Sequence, residues 1–179
     1  MTQVGSVYGE ALYELAKSEG LQESILEELK VLNESFRQEP GFIQLLSSHA
    51  ISKQERCKVL DDSFRGKINQ YVLNFLKILT EKGYMHHFSH CCEAYTRLYN
   101  EDNNILSVRA VTAVSLTEVQ SQALTQKLTR LTGKTILLEN RVDPTCLGGV
   151  RLDYDGQRLD DTISHRLDSV RELLKNTVL

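Results

Sequence analysis

The sequence predicts a mainly α protein, an N-terminal bundle of about six helices over residues 1–104 followed by a small α+β domain over residues 105–179. Three observations carry this. Apolar residues recur at helical spacing as far as about Asn100, a polar stretch Glu101–Asn104 interrupts them, and alternation with period two begins at Leu106.

In the first helix Val7, Tyr8, Ala11, Leu12, Leu15 and Ala16 keep to one side, and Gly20 is a natural stop. Leu21, Ile25, Leu29, Leu32 and Phe36 form a second stripe opposite Glu23, Glu27, Glu28 and Glu34, which Pro40-Gly41 breaks. A short helical turn over 42–46 follows. Ser52 and Glu55 have the spacing of a capping box and open a helix with Cys57, Val59, Leu60 and Phe64, closed at Gly66. The fifth helix, over 68–81, is different, because Tyr71, Val72, Leu73, Phe75, Leu76, Ile78 and Leu79 cover far more than one stripe. Either its neighbours wrap it on all sides, or a second apolar face is kept for a partner helix. After Gly83, a sixth helix carries Met85, Phe88, Cys92, Tyr95 and Tyr99.

Beyond the polar linker, Leu106, Val108 and Ala110 alternate with Ser107 and Arg109 as a strand. Ser115 with Glu118 reads as another capping box, leading a helix with Val119, Ala123, Leu124, Leu128 and Leu131 that stops at Gly133. A second strand spans 135–142. The stretch from Val142 to Leu167 then organises the domain. Asp143-Pro144 favours a turn, and Gly148-Gly149 permits positive φ or a close backbone approach. Val150, Leu152 and Tyr154 alternate with Arg151 and Asp153 up to the hairpin signal Asp155-Gly156. Asp160, Asp161 and Thr162 offer caps to a final helix with Ile163, Leu167, Val170 and Leu174 on one face.

Composition excludes several classes. The net charge of −3 argues against a nucleic-acid surface, and neither half is strongly charged: residues 1–104 carry 11 Lys and Arg against 15 Asp and Glu, residues 105–179 carry 10 against 9. No run reaches the roughly 18 apolar residues of a membrane span, and there is no signal-peptide pattern. Cys57, Cys91, Cys92 and Cys146 lack CxxC spacing and are expected to be free thiols. His86 and His90 stand four apart, as zinc ligands on a helix do, but His87 occupies the place a zinc hydrolase gives to its glutamate. Surface and boundary positions on helix six explain the histidines without a metal. Gly133-Lys134-Thr135 imitates the end of a phosphate loop, yet Leu128 stands where the loop's first glycine belongs, so Gly133 is expected to be a helix cap. The pair Asp160-Asp161 is expected to cap a helix rather than to act as acid and base. No nucleophile, base and glycine loop gather anywhere, so no catalytic residues, cofactor or metal are assigned.

With these residues in view the chain resembles the delta subunit of bacterial rotary ATP synthases, the family of the mitochondrial oligomycin sensitivity-conferring protein. The likeness is most specific at Asp143, Gly148-Gly149, the hairpin, Asp160, Arg166 and Leu167. It is seen again at Tyr8, Ala11, Leu12, Leu15 and Ala16, and from Asn74 to Leu79 with Gly83. Cys146, Asp161 and Tyr84 depart from the family's usual aliphatic, glycine and arginine. The resemblance implies a non-catalytic stator in the peripheral stalk, its helical domain on the catalytic head and its C-terminal domain on the C-terminal ends of the b subunits. It places the chain at the cytoplasmic face of the cell membrane, reached only through the complex. It also implies that the N-terminal helix of an alpha subunit packs between helices one and five, on Tyr8, Ala11, Leu12, Leu15, Phe75, Ile78 and Leu79. Asp143, Gly148, Gly149 and Asp160 are expected to set the fold. The competing classes are a helical adaptor of another complex and a metal enzyme built on His86 and His90.

Overall fold

The computed structural model describes residues 3–48, 50–154, 156–163, 165 and 167. Among them are seven helices and a four-stranded sheet, a mainly α chain with a small α+β part. The chain divides into two compact units, Met1–Tyr99 and Asn100–Leu179.

In the first unit α1 (Gln3–Glu19) buries Gly5, Gly9, Leu12, Tyr13 and Ala16. Of the apolar residues at helical spacing, Leu12 and Ala16 are buried and Tyr8 is half-buried, whereas Val7, Ala11 and Leu15 are exposed. The reason is a close approach. A Cβ at Gly9 would lie 2.5 Å from the Cys91 carbonyl oxygen and 2.7 Å from the Ala94 Cβ, so the glycine face of α1 sits against α6 (Phe88–Asp102). Tyr13 meets Tyr95 edge-on at 5.2 Å, and the Tyr95 hydroxyl donates to the Gln22 carbonyl at 2.9 Å. Burial pushes that phenol well above its ordinary pKa.

Helix α2 (Gln22–Gln38) buries the expected stripe of Ile25, Leu29, Leu32 and Phe36, with Leu26 beside it. Helix α3 (Pro40–Ser47) starts on proline, whose missing N–H costs nothing at a first helical position. Helix α4 (Lys53–Phe64) opens on the Ser52–Glu55 capping box, both halves of which form. Its most buried residues are Leu60 and, unexpectedly, Arg56. The Arg56 guanidinium donates to the Leu46 carbonyl at 2.7 Å and to the Thr80 carbonyl at 3.4 Å, near the C-terminal ends of α3 and α5. A cation belongs there, where helix carbonyls carry partial negative charge. Helix α5 (Gln70–Lys82) starts at Asn69, whose side chain accepts from the Tyr71 N–H, and ends on Gly83 at φ 74°. Val72, Leu73, Phe75, Leu76, Leu79 and Thr80 are all buried, so most of its wide apolar surface is core. The sixth helical stretch is divided into a 3₁₀ turn, Met85–His87, and α6. Glu101 and Asp102, expected in a linker, complete α6. Phe36 gathers Phe42, Phe64 and Phe88 around it at 5.1 to 6.2 Å.

The second unit is a sheet of order β2-β1-β3-β4. Strand β1 (Ile105–Thr112) pairs parallel with β2 (Thr135–Val142) and antiparallel with β3 (Val150–Tyr154), which pairs with β4 (Gln157–Asp160). Helix α7 (Glu118–Thr132) joins the two parallel strands, as a parallel pair demands. Leu106, Val108, Ala110, Ile136 and Leu152 form this unit's core, with Leu116, Leu124 and Leu128 packed on them. The capping box of α7 is Thr117 with Gln120, not Ser115 with Glu118. Asn140 accounts for the shift, because its side-chain oxygen accepts the Leu116 N–H at 2.9 Å and keeps the chain non-helical to that point. Gly133, at φ 69°, caps α7.

The loop after β2 closes on the segment after β4. Asp143 accepts from the Thr145 N–H at 3.0 Å and hydroxyl at 2.6 Å, and these bonds hold its carboxyl below the usual range. Gly149 has φ 80°, and a Cβ there would stand 2.4 Å from the Asp161 carbonyl oxygen; at Gly148 it would meet the Ile163 side chain at 2.8 Å. The Ile163 N–H donates to the Gly148 carbonyl at 3.0 Å. Asp160 accepts from the Thr162 hydroxyl and N–H, which lowers its pKa, and Thr162 in turn accepts from the His165 N–H. Most of the final helix expected from the sequence, Val170 and Leu174 included, lies outside the described residues.

Two substitutions test these close approaches by urea unfolding. Gly9→Ala is expected to destabilise the helical unit by about 1–3 kcal/mol despite alanine's better helix propensity, because the α1–α6 spacing must widen. Gly149→Ala is expected to cost about 2–4 kcal/mol, combining left-handed backbone with a backbone clash. Gly156→Ala, also at positive φ but with open space around it, is the control and is expected to cost about 1 kcal/mol.

Candidate functional site

Two contacts define how α1 and α5 face each other. Tyr8 on α1 meets Tyr84, just past the end of α5, edge-on at 5.8 Å. At the opposite end the Glu19 carboxylate lies beside Tyr71, raising the phenol's pKa by its charge and by a hydrogen bond. The start of α1 thus lies by the end of α5 and the reverse, so the two helices run antiparallel with a contact at each end of the gap.

Helical geometry fills in the rest. Tyr8, Leu12, Leu15 and Glu19 follow i, i+4, i+7, i+11 on α1, and Tyr71, Phe75, Ile78 and Lys82 do the same on α5. Each helix therefore turns one such row towards the other. Leu12, Phe75 and Leu79 are buried members of the core, at 4%, 6% and 0% exposure. Leu15 and Ile78 remain 40% and 45% exposed, and Tyr8 is half-buried. Ala11 is exposed on the outer rim of α1, one turn from Val7, which is 58% exposed.

The seven residues expected to line a groove therefore divide by role. Four of them offer accessible surface and three are core. Sequence reasoning placed Val7 in the apolar stripe of α1 and Tyr71 in the wide apolar surface of α5, and singled out Tyr84, but assigned none of the three to the expected groove. Tyr84 makes its aromatic contact with Tyr8 at 5.8 Å. The i, i+4, i+8 spacing of Val7, Ala11 and Leu15 was the signal available for Val7.

Polar chemistry is thin in the first unit. His86 and His87 lie in the 3₁₀ turn and His90 in the first turn of α6, so they do not share one regular helical face. Burial, then the neighbouring imidazoles of His86 and His90, lowers the His87 pKa. Among the described residues no group of three or more His, Cys, Asp or Glu is arranged to hold a metal ion. The four cysteines are free, and burial pushes the Cys91 thiol up to about 11. No helix among the described residues is long and apolar enough to cross a membrane.

Comparison with known proteins gives a consistent result. The family model described as "ATP synthase delta (OSCP) subunit" matches residues 4–174. The chain is 32% identical to the ATP synthase subunit delta of Alkaliphilus oremlandii over 98% of both chains. It is 30% identical to that of Clostridioides difficile, covering 98% of this chain and 97% of the relative. In fold it is similar to a chain of the Toxoplasma gondii mitochondrial ATP synthase hexamer, with a TM-score of 0.79, 20% identity, and 97% and 98% of the two chains covered. The chain belongs to the ATP synthase delta (OSCP) subunit family, a peripheral-stalk component of the F-type ATP synthase.

Proposed function

We propose that this subunit is itself non-catalytic and serves as a mechanical joint, with the α1–α5 groove taking the amphipathic N-terminal helix of an ATP synthase alpha subunit. The observation that carries this reading is the pair Leu15 and Ile78, two large apolar side chains left 40% and 45% exposed on rows that face each other. Val7 and Ala11 extend the apolar rim along α1, which matches the i, i+4 anchors of a helix in a groove. Covering the exposed part of one such side chain is worth about 1 kcal/mol, so a durable joint needs a long helix with several anchors.

In the same reading the second unit meets the C-terminal ends of the membrane-anchored b subunits. The chain then bridges the alpha and beta head and the membrane sector, and it holds the head against rotor torque while proton flow drives ATP synthesis. It lies at the cytoplasmic face of the cell membrane and touches that membrane only through the complex. No cofactor or metal takes part.

Ile78→Asp tests the groove. The residue is about half buried and near the C-terminal end of α5, so the fold should lose about 1–2 kcal/mol and still form. Binding to a catalytic head stripped of this subunit should weaken by about 2 kcal/mol or more, roughly thirtyfold, because the bound state would bury an unpaired carboxylate. Co-purification of the head with the folded variant at wild-type affinity would overturn the groove assignment.

A further inference from the structure

We propose that His86, His87 and His90 form an acid-sensitive latch on the helical bundle. With the three imidazoles neutral, the turn Met85–His87 holds Tyr84 against Tyr8 and closes one end of the α1–α5 groove; their protonation releases it. The effect on docking rests on the proposed groove, and the latch itself does not.

Five rings make a continuous run. Between ring centres, Tyr8 lies 5.8 Å from Tyr84, Tyr84 lies 6.1 Å from His87, and His87 lies 3.9 Å from His86 and 6.2 Å from His90. The backbone ties the same segment together. The His87 N–H donates to the Tyr84 carbonyl at 2.8 Å, and the Tyr84 N–H donates to the Leu79 carbonyl at 2.7 Å. A shift of the turn therefore moves Tyr84.

Neutral imidazoles pack here as ordinary aromatic rings, but charged ones do not. Two imidazolium rings 3.9 Å apart repel, whereas a charged His87 stands at the outer limit of attraction to the Tyr84 ring, so repulsion decides. An imidazolium also needs acceptors for two N–H groups, and the buried Nδ1 of His90 has no hydrogen-bond partner. The packed elements compensate little. Helix α3 carries no titratable side chain, and α1 brings the Tyr8 phenol with no acid in its first turn. Helix α5 ends on Glu81 and Lys82, opposite charges that are both exposed, and α6 adds the protonated Cys91 thiol and an exposed Glu93. Burial, then the charges of His86 and His90, lowers the His87 pKa below the ordinary 6.5. A base lowered in this way favours the closed turn above about pH 6.5, and that advantage is lost as the pH falls, because the released turn takes up the proton more readily.

Solution NMR of the full chain tests the latch. Cross-peaks between the Tyr8 and Tyr84 rings should be present at about pH 7.5 and should reversibly lose most of their intensity at about pH 5.5. The triple variant His86→Gln, His87→Gln, His90→Gln should keep them at both pH values. If it fails to fold, the exposed His86→Gln alone should shrink the loss. A peptide from the N-terminus of the same organism's alpha subunit, titrated into the full chain, should bind the wild type about fivefold more weakly at the lower pH and the triple variant equally at both. Cross-peaks that survive acidification in the wild type, or that vanish equally in the variants, would overturn the latch. Peptide affinity indifferent to pH while the cross-peaks vanish would overturn its link to docking. A peptide that binds at neither pH while the cross-peaks still respond would overturn the groove and uphold the latch.

Discussion

The contact between Gly9 and the Cys91–Ala94 turn of α6 decides how the helical unit presents itself. With only a hydrogen at Gly9, α1 comes close enough to α6 that Gly5, Gly9 and Ala16 face inward together with Leu12 and Tyr13. Val7, Ala11 and Leu15, on its other side, are then left at the surface. A bulkier residue at position 9 would force the helices apart and change which side chains reach the gap beside α5. The same contact that completes the core thus sets the candidate docking surface.

The proposed groove needs a rigid floor, which the buried side of α5 would supply. Five of its apolar side chains and Thr80 are buried, with Ile78 the large aliphatic left outside. Arg56 ties the ends of α3 and α5 together through their carbonyls, so a buried charge takes part in closing the bundle. Its attachment to backbone groups suits a position where no carboxylate is needed, because the helix ends themselves provide negative potential. In the second unit the comparable device is the pairing of Gly148 and Gly149 with Asp161 to Ile163, which closes the loop after β2 on the end of β4.

Much of this was legible in the sequence, and the failures have physical causes. Capping at Ser52, the strand over 135–142, the hairpin register and the stop at Gly133 all follow from local chemistry, in which a residue's neighbours in sequence settle its geometry. The buried face of α1 does not, because glycine counts as nothing in a hydrophobic pattern yet allows the tightest packing. Arg56 was invisible for the related reason that its partners are carbonyls from two distant helices. The capping box of α7 moved by two residues because of Asn140, which is 24 residues from Leu116 in sequence. Among the seven groove residues that the family resemblance implied, periodicity could not separate Leu12, Phe75 and Leu79, which the core takes, from Leu15 and Ile78, which it leaves.

The most direct test of the account is a calorimetric titration of the full chain with a peptide from the N-terminus of the same organism's alpha subunit, repeated at several temperatures. One-to-one binding with a negative heat-capacity change, lost when Leu15 and Ile78 are both replaced by aspartate, is the result expected of a helix burying apolar surface in the α1–α5 groove. Absence of binding by the folded chain, or binding unaffected by the double replacement, would contradict it.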